Sequence, residues 1–200
     1  MGKRIITVFA LALLLAAMPV QATTRPTADG HYSKAFQTER KAKRIKLKKY
    51  SVSGTVLFAD TKIPKKRITF VRNCIKSLPK KVRKRAKRVY FVRKKYYLMT
   101  GKGLKDTSGY SMFPEREIWL YNVSDSDELM DTIFHEFGHC FDWSGKKFKL
   151  SNTNEWERIW VSWLGATEDP TEWFAYCFAE FWTMMQDPDF NYIYKHLTGG

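Results

Sequence analysis

The chain has 200 residues, 44% of them hydrophobic and 16% aromatic, and a formal net charge of +15. This composition excludes an intrinsically disordered chain, and the length suits one domain with a sizeable core. Its three cysteines are too few for a disulfide-stapled scaffold, and an odd count leaves at least one thiol unpaired.

Residues 1–22 read as a secretory signal. Lys3 and Arg4 form a charged start, Ile5 to Met18 an apolar run, and Pro19-Val20-Gln21-Ala22 a small-residue cleavage site. The apolar run is too short to span a membrane comfortably. The expectation is a secreted or periplasmic protein with no membrane anchor after signal removal. Residues 23–60 read as a basic flexible arm or pro-segment, because few apolar residues are available there to bury. Within it, Ser51 to Phe58 suits a short strand or a loop. Between residues 31 and 95 the only acids are Glu39 and Asp60, among many lysines and arginines, whereas the acids concentrate after residue 96. A basic front suits an anionic envelope or an acidic protein partner; in an exported protein no nucleic acid is expected. The same charge also serves simply as a solvated face.

The folded domain is expected over residues 61–200. Pro64 opens a helix with Ile68, Val71, Ile75 and Leu78 on one face, and Leu78-Pro79 closes it. Pro79 to Lys87 is a second basic turn. Val89 to Val92 reads as a strand, with Tyr96 to Met99 as a continuation or a partner. The glycines from Gly101 to Gly109 form a loop whose spacing does not fit a phosphate cradle. Glu117 to Tyr121 is the next strand; it, or a neighbour, is the candidate edge on which an extended peptide would dock.

Asn122 to Glu128 is rich in capping and early acidic residues, a helix-start signature. Leu129, Ile133, Phe134, Phe137 and Phe141 then recur at helical spacing, and Gly145 marks the expected end. Inside that helix stands His135-Glu136-Phe137-Gly138-His139. Two histidines four apart lie one turn apart on the same face and can grip one ion. Glu136 stands beside them and can reach a water on that ion. Two imidazole ligands with one carboxylate base are what zinc-dependent hydrolysis requires. Asp142 is placed either to orient a ligand histidine or at the helix surface. Cys74, Cys140 and Cys177 read as small buried hydrophobes.

Ser151 or Thr153 caps a further helix from Glu155 to Leu164, with Trp156, Ile159, Trp160 and Trp163 as its face. Asp169-Pro170-Thr171-Glu172 starts the last long helix, from Glu172 to about Gln186, which Asp187-Pro188 ends. A catalytic zinc ion normally takes a third protein ligand. A metzincin-type third histidine would require histidine at 145, where the chain has Gly145. His196 is a weak candidate and His31, in the arm, a poorer one. Glu172 and Glu180 are the better ones. They lie roughly 80° apart around the helix and two turns along it, so one ion would not take both. Glu180 stands among Phe178, Phe181 and Trp182, where a carboxylate is costly unless paired or metal-bound.

Taken together, His135 to Asp142, Leu150 to Trp156 and Asp169 to Ala175 resemble the catalytic domain of anthrax toxin lethal factor and its bacterial relatives, over about residues 78–190. The resemblance implies an α+β zincin-like domain, with a small mixed sheet packed on the His-Glu-x-x-His helix and on a C-terminal helix bearing the third ligand. It implies a gluzincin: one zinc ion held by His135, His139 and Glu172, with Glu136 as general base, hydrolysing protein or peptide substrates. Two departures stand out. The family often carries a second glutamate four residues after the ligand, where this chain has Tyr176. The family's oxyanion-supporting tyrosine falls in the region of Trp163-Leu164-Gly165, which has none; either Tyr110 or Tyr176 substitutes, or the role is absent. The alternative from another class is a non-catalytic zinc-containing binding protein whose basic front docks to an envelope or partner.

Overall fold

The computed structural model describes residues 46–93, 108–164 and 169–184, together with 193 and 196. The signal segment, most of the expected arm, His31 and the run from Tyr96 to Met99 lie outside the described residues.

The described residues form a mixed α/β unit. Strands β1 (Leu47–Val52) and β2 (Thr55–Asp60) form a hairpin. Its two-residue loop is Ser53-Gly54, with φ of 46° and 101°. Positive φ at both positions is what a tight hairpin turn demands. The last part of the expected flexible arm, 47–60, therefore belongs to the sheet. Lysines hide it in the sequence: Lys48 and Lys49 are exposed while Val52 is fully buried, the charged dress of an edge strand.

Helix α1 (Lys65–Ser77) buries Ile68, Val71, Cys74 and Ile75. Pro64 is its N-cap, and the four-residue α2 (Lys80–Arg83) follows. Strand β3 (Arg88–Arg93) then pairs in parallel with β2, and β5 (Glu117–Asn122) in parallel with β3. Both edges of β3 are thus occupied. Strand β4 (Gly109–Met112), which starts on the last residue of the expected glycine-rich loop, pairs antiparallel with β5. The sheet order is β1-β2-β3-β5-β4. Among the described residues the end strand near the motif helix is therefore β4, the neighbour of Glu117 to Tyr121.

One sheet face, carrying Leu57, Ala59, Val89, Phe91, Ile118 and Leu120, packs against the helices and forms the main core. The other carries an aromatic ladder across three strands. Phe58 stacks on Tyr90 at 5.2 Å and Tyr90 on Trp119 at 4.3 Å between ring centroids, cross-strand pairs that help fix the register.

The motif helix is α3 (Ser126–Asp142), capped by Asp125, whose carboxylate accepts from the amides of Asp127 and Glu128. Arg67 ties its start to the sheet, donating to Ser126 Oγ at 2.8 Å and to the Val123 carbonyl at 2.5 Å. Helix α4 (Asn154–Leu164) is capped by Thr153, which accepts from the Trp156 amide at 3.1 Å. Helix α5 (Pro170–Met184) runs against α3 in the most extensive helix pair. Among the described residues no helix is long and apolar enough to cross a membrane.

Gly138 sets the α3–α5 distance. A Cβ there would stand 3.0 Å from both Ala175 Cα and Phe178 Cβ. In an exposed helix Gly→Ala would stabilise by about 1 kcal/mol; here crowding of about 1–3 kcal/mol opposes it. Gly138→Ala is expected to lower unfolding stability by on the order of 1 kcal/mol in denaturant titration, and equal or higher stability would contradict this packing.

Candidate metal centre

His135 and His139 point from one face of α3 toward α5, and Glu172, in the first turn of α5, meets them. His139 Nε2 lies 3.1 Å from His135 Nε2; Glu172 Oε2 lies 3.2 Å from His135 Nε2, and its Oε1 lies 3.4 Å from His139 Nε2. Four-coordinate ions bound by nitrogen and oxygen at about 2.0–2.1 Å have ligand–ligand edges of roughly 3.3 Å. The three side chains can therefore hold one metal ion. The His135 and Glu172 side chains keep 25% and 28% of their surface exposed, against 10% for His139, so the cluster opens to solvent on one side.

The position of Glu172 is built by its surroundings. Asp169 caps α5, its Oδ1 accepting from the Thr171 amide at 2.8 Å. Trp156 of α4 anchors the same turn, donating from Nε1 to the Pro170 carbonyl at 3.0 Å and packing on Phe174 at 5.2 Å. Glu180, two turns on, lies outside the cluster and interacts instead with the Tyr176 hydroxyl and with Cys177. Among the described residues, neither Glu180 nor His196 joins the two histidines.

Glu136 is 5% exposed and does not join the donor triangle. Ser111, on β4, holds it: the hydroxyl donates to Glu136 Oε2 at 2.7 Å, with the Glu136 carbonyl at 3.0 Å. The sequence reading missed Ser111. A lone serine in a glycine-rich stretch carries no motif, and only recognition of β4 as a strand would have pointed its side chain at α3. Burial pushes the Glu136 pKa up, while His135, His139 and the Ser111 hydrogen bond pull it down.

Asp142 is neither a surface residue nor a partner of a ligand histidine. It is 1% exposed, and it accepts from the amides of Leu150 and Ser151 and from the Ser151 hydroxyl, so it fastens the loop after α3. His139 Nδ1 is buried without a hydrogen-bond partner. Tyr110 packs with the aromatic ladder on the sheet face opposite α3, away from the cluster. Tyr176 lies one turn beyond Glu172, 49% exposed and stacked on Trp173. All three cysteines are buried and free; burial raises Cys74 to about 11 and Cys140 to about 12.

No protein-family model matches this sequence, and no curated protein matches it.

Without a metal, a proton must occupy the cluster. Burial disfavours charge on His139, but the Glu172 charge and hydrogen bond, with help from Glu136 and Asp142, lift its pKa to about 9. Burial likewise opposes charge on Glu172, and the imidazoles overcome it, holding that carboxylate well below its usual range. The raised His139 value stabilises the folded state fully below an unfolded pKa near 6.5, and this contribution is lost as pH rises through about 9. The depressed Glu172 value adds stability above about pH 4.5, lost on acidification. The chelator-treated protein is therefore expected to lose on the order of 5 °C in Tm between pH 6 and 9. Thermal scans that show a flat or rising Tm over that range would contradict the proton-bridged cluster.

Proposed function

We propose that the protein is an exported zinc-dependent endopeptidase of the gluzincin type, with a zincin-like catalytic domain similar to that of anthrax toxin lethal factor. The observation that carries this reading is the convergence of His135, His139 and Glu172 at spacings of 3.1–3.4 Å beside a buried carboxylate, Glu136. Two imidazoles and one carboxylate form a catalytic zinc donor set, and the open side of the cluster leaves room for water and substrate. A purely structural zinc site is normally closed by four protein ligands and has no use for an adjacent base.

Zinc, when bound, lowers the pKa of a water and polarises the scissile carbonyl. The residues of the chain do the rest. Glu136 accepts the proton of the attacking water and passes it to the leaving nitrogen as the peptide bond breaks. Ser111 keeps the Glu136 carboxylate in one rotamer, so that it is not drawn onto the ion as a fourth ligand. An extended peptide would add to the sheet beside β4, its end strand among the described residues. Since Ser111 sits on that strand, substrate edge and catalytic base are positioned by the same four residues.

Glu136→Gln keeps the shape of the side chain and removes its basicity. Hydrolysis of a casein-type substrate is expected to fall by at least about 1,000-fold while zinc content stays near one ion per chain. Undiminished cleavage by this variant would refute the assignment of the base.

A further inference from the structure

The cations of this chain are not spread evenly over its surface. Between Asp60 and Asp106 the sequence holds no acid, and the fold sends that run to both ends of α3. Lys65 and Lys66 open α1 beside the start of α3, where their neighbour Arg67 donates to Ser126 Oγ. There the exposed Asp125, Asp127, Glu128 and Asp131 offset them. The later cations reach the other end of α3, about 25 Å away along a helix of 17 residues.

At that end three separate stretches of chain converge. Lys76 stands in the last turn of α1. Lys80, Lys81, Lys84, Arg85 and Lys87 belong to α2 and the residues just after it, and Lys146, Lys147 and Lys149 to the loop after α3. All nine are exposed. Lys81, Arg85 and Lys149 border one cavity, which places the second and third stretches side by side. Arg83 fastens the first to the second. It donates to the Lys76 carbonyl at 2.8 Å and to the Ser53 carbonyl of the β1–β2 turn at 3.1 Å. Carboxylates are present as well. Asp142 borders the same cavity. Glu115 and Glu117 flank Arg116, whose carbonyl accepts from the Lys87 amide, and Glu117 is paired with Arg88. Glu155 and Glu157 stand in the first turn of α4. The cations outnumber them all, and among the described residues none of the nine is in an ion pair.

We propose that this end of the molecule is a docking surface for the headgroups of an anionic lipid bilayer. Two observations favour a bilayer over an acidic protein. All but Arg85 are lysines, compact point charges on flexible stems that follow mobile headgroups; the rigid fork of arginine suits fixed carboxylates better. No large hydrophobic side chain is exposed among them: Val161 on α4 and Tyr176 on α5 are the exposed ones among the described residues. A protein interface draws most of its affinity from such anchors. A basic cluster of this size is enough for electrostatic attachment to an anionic bilayer, and the acidic start of α3 turns the opposite end away from it. Docking of this kind is independent of the peptidase reading.

Co-sedimentation of the full chain with lipid vesicles tests it. The vesicles are phosphatidylcholine with about 30% phosphatidylglycerol, or phosphatidylcholine alone, which accounts for partition of the apolar run near the start of the chain. Binding is expected to be at least about tenfold stronger to the anionic vesicles and to disappear toward about 0.5 M salt. Lys80→Gln/Lys84→Gln/Arg85→Gln/Lys147→Gln spares the hydrogen bond from Lys81 to the His196 carbonyl. It should weaken binding at least about tenfold at about 0.1 M salt. Lys80→Arg/Lys84→Arg/Lys147→Arg keeps the charge and should keep the binding. Removal of as many charges at the starts of β1 and α1, in Lys46→Gln/Lys48→Gln/Lys65→Gln/Lys66→Gln, should change binding less than about threefold, because screening confines each charge to about 10 Å. Equal binding to neutral vesicles, or equal losses in the two Gln variants, would overturn the surface. Binding of polyglutamate without binding of anionic vesicles would overturn it in favour of an acidic protein partner.

Discussion

Two imidazole nitrogens 3.1 Å apart, with carboxylate oxygens 3.2 and 3.4 Å from them, confront one another across a partly buried space. Lone pairs so close repel unless something positive lies between them. Either a proton bridges them, which lifts His139 to about 9, or a cation takes the centre. The first arrangement costs burial of an imidazolium; the second satisfies all three donors at once. The rest of the fold is arranged to keep these three side chains in that confrontation.

Two packing contacts do most of this. The missing side chain at Gly138 lets α5 approach α3 closely enough for Glu172 to reach the histidines. Trp156 then fixes the first turn of α5 along its axis through the Pro170 carbonyl. On the other side of α3, Ser111 of β4 holds Glu136 away from the donors and against the sheet. One helix thus presents two imidazoles to α5 and the Glu136 carboxylate toward β4, which follows from its 3.6-residue period: neighbours His135 and Glu136 must leave the helix about 100° apart.

The sequence was legible where one element carries the whole message. His135, Glu136 and His139 stand on a single capped helix, and their spacing is enough to read them as two ligands and a base. The choice of Glu172 over Glu180 came only from a resemblance, because α3 and α5 meet through tertiary packing at Gly138, and no local pattern separates the two. Strand β4 was missed because four residues beginning with a glycine show no alternation, and Ser111 was missed with it. The β1–β2 hairpin was hidden by the lysines of an edge strand, although Ser53-Gly54 between two alternating runs is a hairpin signal. Asp142 was misplaced because a carboxylate at a helix end usually meets solvent, whereas here the loop through Leu150 and Ser151 folds back over it.

The central claim is that one cation sits between α3 and α5. Crystals grown with zinc and measured on both sides of the zinc absorption edge test it directly. The account predicts a single strong anomalous peak within about 2.2 Å of His135 Nε2, His139 Nε2 and a Glu172 oxygen, with Glu136 off the ion. No peak there, or an ion bound by Glu180 in place of Glu172, would contradict it.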